Sequence, residues 1–259
     1  MEKKTISLWQ TPPYVEKSGA GFSASMDSYI VNEKKTAVIV CPGGGYEMKA
    51  SGYEGEDIAK MLNKNGFNAF VLDYSVKPCH KFAPLSDLQR AIRTARSLGF
   101  DKVGVLGFSA GGHLICTGAT QYDFQAYEGI DEIDELSARP DVFIPCYPVV
   151  SFTDELTHIW SRRALLGEEW EDESLVRLFS NELNVTSDTP PCFLWHTAED
   201  QAVSVRNSLA LCEALAKNGV YFEAHIFPRG SHGLGLALDK NDVSQWSRSL
   251  CVFLSNLEF

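Results

Sequence analysis

Long hydrophobic runs are missing from this 259-residue chain. No apolar stretch approaches the roughly 20 residues that cross a bilayer, so no membrane-spanning helix and no membrane partner are expected. Basic charge is scarce as well. Lys and Arg number 23 against 34 Asp and Glu, a formal net charge of −11, which argues against nucleic-acid or anionic-membrane partners because both need clustered cations. The N-terminal MEKKTISLWQTPPY carries Lys3 and Lys4 with no apolar core behind them, so a secretory leader is not expected there. Cys-x-x-Cys pairs are absent, and the seven cysteines lie scattered. Four of them, Cys41, Cys146, Cys192 and Cys251, fall in apolar runs where a free thiol acts as a small hydrophobe. Reduced thiols in a cytoplasmic protein are therefore expected. Repeats, low-complexity tracts and Pro/Gly/Ser-rich linkers are also lacking, so a single domain over 1–259 is the simplest organisation.

What is present is alternation. TAVIVC (36–41), NAFVLDY (68–74), KVGVLG (102–107), DVFIPC (141–146), PCFLWHT (191–197) and YFEAHIF (221–227) are rich in Val, Ile and Phe. Several are apolar almost throughout, as in strands covered on both faces. Helical patterns fill the intervals: 54–66, 86–99, the stretch after Ser109, 204–219 and 242–257. In 54–66, Ile58, Met61 and Leu62 recur at helical spacing before Gly66; in 204–219, Leu209, Cys212, Leu215 and Ala216 do so before Gly219. Asp242 is the expected N-cap of the last helix. Alternation of this kind predicts an α/β fold, a mostly parallel twisted sheet with helices on both faces. ISLWQ (6–10) and SYIV (28–31) are read as antiparallel edge strands. The charged segment at about 151–189 is read as a helical insertion over the active-site side.

In such sheets ligands bind beyond the carboxyl ends of the strands. VGVLGFSAGGHL (103–114) places Gly107-Phe108-Ser109-Ala110-Gly111 at one such end, matching the G-x-S-x-G strand-to-helix turn that exposes a nucleophile. A serine hydroxyl needs a base within reach and an acid to orient that base. Asp200 follows PCFLWHT and His232 follows HIFP, giving the chain order Ser, Asp, His. Backbone donors for an oxyanion are expected from Ala110, at the helix N-terminus, and from Gly44 or Gly45 in CPGGGYE after the 36–41 run.

These motifs, with YPVVSF (147–152), TPPCFLWHTAEDQAV (189–203) and GVYFEAHIFPRGSHGLGLA (219–237), make the chain resemble the α/β-hydrolase superfamily. More narrowly it is similar to the small carbohydrate-type acetyl esterases, the bifunctional feruloyl and acetyl-xylan esterase group. That resemblance implies an α/β-hydrolase fold and serine-dependent hydrolysis of short acyl esters, with Ser109, Asp200 and His232 as the triad, no metal and no cofactor. The substrate expected is a small-molecule or oligosaccharide ester; self-association as a homo-oligomer is left open. Two departures stand out. Pro42 occupies the place where many such esterases carry a histidine before the oxyanion glycines, so the loop must be braced differently. The tract 72–92 departs from its hormone-sensitive-lipase-like counterpart at Lys77 and Cys79.

Plainer readings compete at each position. Ser109 could be a small residue at a tight turn, but the matched Asp and His favour chemistry. Glu199 neighbours Asp200, and the resemblance favours Asp200 as the orienting acid. Tyr46 is a candidate acyl-pocket residue or simple packing. His113 and His196 are read as structural. Trp160, Trp170 and Arg162 are read as part of a covering helix in preference to sugar contacts, and Asp87 and Arg90 as cap and solvated surface charges. The rival functions are a prolyl-oligopeptidase-like or acylaminoacyl peptidase, whose usual N-terminal propeller is not expected from these 259 residues, and a non-catalytic hydrolase-fold binding protein.

Overall fold

The computed structural model describes residues 3–14 and 22–259; Met1 and Glu2, part of the stretch read for a leader, lie outside the described residues. Eight strands form one sheet: β1 (Lys4–Ser7), β2 (Ser25–Tyr29), β3 (Thr36–Cys41), β4 (Asn68–Asp73), β5 (Lys102–Phe108), β6 (Val142–Cys146), β7 (Cys192–Thr197) and β8 (Phe222–Phe227). Their order is β1-β2-β4-β3-β5-β6-β7-β8. β1 and β2 pair antiparallel at one edge, β2 meets β4 antiparallel, and every later pairing is parallel. The helices are α1 (Asp57–Lys64), α2 (Ala83–Ser97), α3 (Ala110–Thr120), α4 (Ile159–Leu166), α5 (Glu173–Leu178), α6 (Arg206–Lys217) and α7 (Trp246–Asn256).

Period-two alternation divides the core. Ile39 and Val105 face the layer of α2, α3 and α6, while Val38, Val40 and Leu106 face α1 and α7. Both faces of β3 and β5 are thus covered, which is why these strands read as unbroken apolar runs.

Four local expectations change. The edge strands lie earlier than read, β1 at Lys4–Ser7 in place of 6–10 and β2 at Ser25–Tyr29 in place of 28–31, because β4 sets the register of β2, with Met26 facing Leu72 and its side chain buried in the core. Asp242 is not a cap: its backbone is already helical, and a 3₁₀ turn over Val243–Gln245 leads into α7. α6 is rotated from its apolar pattern, leaving Leu209 half exposed while Asn207, Ser208, Leu211 and Leu215 are buried. Buried polar contacts drive that rotation: Asn207 accepts from the amides of Val150 and Ser151, and Ser208 bonds His196.

The fourth correction concerns Asp87 and Arg90, which are not surface charges. Asp87 is fully buried and accepts hydrogen bonds from Trp9 Nε1, the Tyr14 hydroxyl and the Ser75 amide. Arg90, also buried, grips Asp131 with two bonds of 2.6 Å and reaches Asp134 at 2.9 Å. Together they fasten the N-terminal segment to α2. Burial pushes the Asp87 carboxyl up to about 6, against the opposing bonds from Tyr14, Ser75 and Trp9. A folded-state value raised above the unfolded one, near ~4, gives stability that is complete below the unfolded value. That stability is lost as pH rises through the folded value. The window is about pH 4 to 6 and the loss is about 3 kcal/mol. The unfolding free energy of the chain, less that of Asp87→Asn, is therefore expected to fall across this window and flatten above it; urea titrations at stepped pH check this, and a difference that grows with pH would contradict it.

Candidate active site

β5 ends at Phe108 and α3 begins at Ala110, leaving Ser109 alone at the turn with φ 52° and ψ −115°. A non-glycine residue held in that region is strained, and such strain collects at functional sites. The turn is possible only because strand and helix nearly touch. A Cβ on Gly107 would lie 2.2 Å from the carbonyl oxygen of Gly111, and one on Gly111 would lie 2.2 Å from that of Cys41. The end of β6 and the loop after it pin the Ser109 backbone: its amide donates to Cys146 and its carbonyl accepts from Val149.

Three side chains from three loops meet here. His232 Nε2 lies 2.8 Å from Ser109 Oγ, and His232 Nδ1 lies 2.6 Å from Asp200 Oδ2. The Asp200 side chain is fully sealed, whereas that of His232 is 23% exposed, so of the pair only the histidine meets solvent. Asp200 Oδ1 accepts from the amides of Ala202 and Val203, both at 2.9 Å. His196 Nε2 stands between Asp200 Oδ2 and the Val203 carbonyl, and His196 Nδ1 meets Ser208. His196 therefore donates from Nε2 and accepts from Ser208, bracing the acid from below. Burial alone would raise the Asp200 carboxyl; the bonds from His196 and His232 outweigh it and hold the carboxyl well below the usual range. Glu199, the competing acid, is exposed.

The glycine loop lies beside the serine. A Cβ on Gly43 would sit 3.1 Å from Ser109 Cβ. The Gly43 amide is taken by Glu54 Oε2 at 2.8 Å, which leaves Gly44 and Gly45 as the loop's candidate donors. Ala110 opens α3, and the first amides of a helix have no intrahelical acceptor; with the helix dipole they favour negative charge at this spot. Ahead of the glycines, Pro42 gives its carbonyl to the Tyr74 hydroxyl at 2.6 Å, the different bracing expected of a loop without a histidine there.

Tyr46 is a correction. It is 1% exposed, and its hydroxyl meets His113 Nδ1 at 2.8 Å, so it is a packing residue and offers no surface to an acyl group. His113 Nε2 faces the Phe179 carbonyl and so must donate, which makes Nδ1 the acceptor from Tyr46. The ring stacks on Phe152 with centroids 4.2 Å apart, and burial lowers its pKa to about 4. His113 and His196 are thus the structural histidines expected of them.

The 151–189 segment contains α4 and α5 and reaches the site through its start. His158 Nδ1 bonds Ser161 Oγ at 2.8 Å, and Ser161 approaches the Gly45 position. Arg162 is buried against Phe152 and Trp170 carbonyls and Asp154, and Trp170 lies under Arg162 and Arg163; both serve packing. Trp160 is 67% exposed.

Two residues carried no sequence signal. Glu54 is buried, with Oε1 accepting from the Tyr147 hydroxyl at 2.7 Å, and Tyr147 accepts from the Gly235 amide at 2.9 Å. An acid in the polar stretch YEGED looks like surface, and Tyr147 entered only as the first residue of the YPVVSF motif, with no role of its own.

Comparison with known proteins gives the chain relatives and a family. The chain is 39% identical over 254 residues to endo-1,4-beta-xylanase B of Butyrivibrio fibrisolvens, covering 93% of this chain and 39% of that protein. To the acetylxylan esterase of Xylanibacter ruminicola it is 29% identical, covering 85% of this chain and 46% of that protein. The chain thus spans less than half the length of either relative. The acetyl ester-xyloside bifunctional hydrolase of Caldicellulosiruptor lactoaceticus superposes with a TM-score of 0.91 at 41% identity, over 99% of this chain and 97% of that one. The expected α/β-hydrolase fold is therefore present in full. With residues 26–215, from β2 through most of α6, matching the BD-FAE family model, the chain belongs to the BD-FAE family.

Proposed function

We propose that the chain is a serine esterase that removes acetyl and other short acyl groups from carbohydrate, such as acetylated xylo-oligosaccharides. Ser109 Oγ attacks the ester carbonyl while His232 Nε2 takes the hydroxyl proton. The C–O bond to the sugar then breaks, and the same proton passes to the departing sugar oxygen. Asp200 holds His232 with its proton on Nδ1 and stabilises the imidazolium. The oxyanion is held by the amides of Ala110 and of Gly44 or Gly45. Water, activated by His232, cleaves the acyl-enzyme and frees the acid and Ser109. No metal or cofactor enters these steps.

One observation carries the reading: the unbroken chain from Ser109 through His232 to a sealed Asp200, set at a helix N-terminus. The sugar as alcohol is supported by the names of the xylan-directed relatives. The test is a series of p-nitrophenyl esters from acetyl to octanoyl and longer, run beside acetylated xylo-oligosaccharides. Acetyl is expected to exceed octanoyl in kcat/KM by about tenfold or more, with acetate released from the oligosaccharides. A preference for octanoyl or longer chains contradicts the proposal, and faster cleavage of aminoacyl p-nitroanilides returns the peptidase reading.

A further inference from the structure

Glu54 is a buried acid with no fixed cation among its hydrogen-bond partners. Oε2 accepts from the Gly43 amide at 2.8 Å and Oε1 from the Tyr147 hydroxyl at 2.7 Å. Tyr147 in turn accepts from the Gly235 amide at 2.9 Å. Gly43 opens the oxyanion glycines and Gly235 lies in the loop that carries His232, so two hydrogen-bonded side chains tie the oxyanion half of the site to the base half. The Tyr147 ring also packs edge-on against the His232 imidazole, with centroids 5.0 Å apart.

Burial pushes the Glu54 carboxyl above its usual range, against the bonds from Tyr147 and Gly43, and donor counting favours the ionised form. The network holds three donors, the Gly43 amide, the Tyr147 hydroxyl and the Gly235 amide, and the first two need both Glu54 oxygens as acceptors. A proton on Glu54 would leave one donor without its acceptor, so the carboxylate is the form that fits. The titratable side chains acting on it are Tyr147, Tyr74, Tyr53, Cys146 and His232. Of these only His232 can become a cation. His232 itself is faced by Asp200, His158, Glu54, Tyr147 and Ser109. When His232 accepts the serine proton, the new positive charge lies against Tyr147, whose hydroxyl bonds a second buried carboxylate. An interaction that strengthens as charge develops is the kind that raises kcat.

We propose that Glu54 is a positioning residue of this site: ionised, it holds the oxyanion loop and the histidine loop in register through Tyr147 and acts on the His232 imidazolium as a second buried carboxylate. The kinetic consequence rests on the esterase reading; the electrostatic one does not.

The test uses Glu54→Gln, Glu54→Asp and Tyr147→Phe in the full chain. NMR titration of the His232 imidazole, assigned with His232→Asn, is expected to move to lower pH in Glu54→Gln and to return towards the unaltered position in Glu54→Asp. On p-nitrophenyl acetate, kcat of Glu54→Gln is expected to fall by about tenfold or more, with KM within about twofold. Tyr147→Phe keeps the charge but cuts the link to Gly235; it is expected to lose kcat without moving the imidazole titration downwards. An unmoved titration in Glu54→Gln, or turnover within about twofold of the unaltered protein, overturns the proposal. So does loss of near-UV circular dichroism in both Glu54→Gln and Tyr147→Phe, which assigns the network to stability alone. If the unaltered protein turns over no ester, the esterase reading falls, and the imidazole titration then decides the role of Glu54.

Discussion

Ser109→Ala is expected to lower kcat on p-nitrophenyl acetate by about 10⁵-fold or more, a loss of the size seen when a triad nucleophile is removed, while the thermal midpoint stays within a few degrees. The change deletes one atom, Oγ, whose hydrogen bond is to His232 at 2.8 Å. Everything that shapes the turn remains. Alanine keeps the Cβ that already tolerates φ 52°, and the backbone bonds to Cys146 and Val149 do not involve the side chain. Ser109 is 7% exposed, so the deletion leaves no large void. Residual hydrolysis is expected from binding and the backbone donors alone. The measurement pairs initial rates with thermal unfolding and fluorophosphonate labelling. Turnover near that of the unaltered protein would sink the mechanism, and an unaltered protein that the probe fails to label would favour the binding-protein alternative.

Asp200→Asn is expected to cost about 10⁴-fold in kcat with little change in fold. The direction follows from which oxygen is already committed. Oδ1 accepts from the amides of Ala202 and Val203, so the carbonyl oxygen of an asparagine is held at that position. Its NH₂ then faces His232 Nδ1 and His196 Nε2 in place of Oδ2. Two donors cannot face each other, so the His232 proton moves to Nε2, where the ring can no longer take a proton from Ser109. His196 keeps its Nε2 proton for the Val203 carbonyl and loses only its longer bond to residue 200. Rates measured beside nitrogen-15 NMR of the imidazoles check this: the variant should show His232 protonated at Nε2, and near-normal kcat with that tautomer would contradict the role assigned to Asp200.

Much of the site was legible in the chain because its chemistry is local. The turn around Ser109 needs small residues at 107 and 111, and those are written in sequence beside it. Asp200 and His232 each follow an apolar strand, so chain order sufficed to pair them with Ser109. What local pattern could not supply is the direction in which a polar side chain points. Asp87 and Arg90 sit in a helix with enough charge to look solvated, yet Trp9, Tyr14 and Asp131, distant in sequence, bury them. Leu209 fits an apolar helical stripe, yet Asn207 and Ser208 face inwards because buried amides and His196 need them. Tyr46 follows the oxyanion glycines and so looked like pocket, but His113, one turn into α3, draws its hydroxyl into the core.

The sequence by itself determined the parallel sheet, the serine at its strand-to-helix turn and the order of its partners, since these depend on periodicity and on residues adjacent in the chain. Only the tertiary structure decided how the site is braced. With Pro42 in place of a histidine, the oxyanion loop is held by Glu54, Tyr74 and Tyr147, contributed by separate segments. A buried hydrogen bond between such segments depends on where the folded backbone brings them, and no spacing along one strand or helix encodes that meeting.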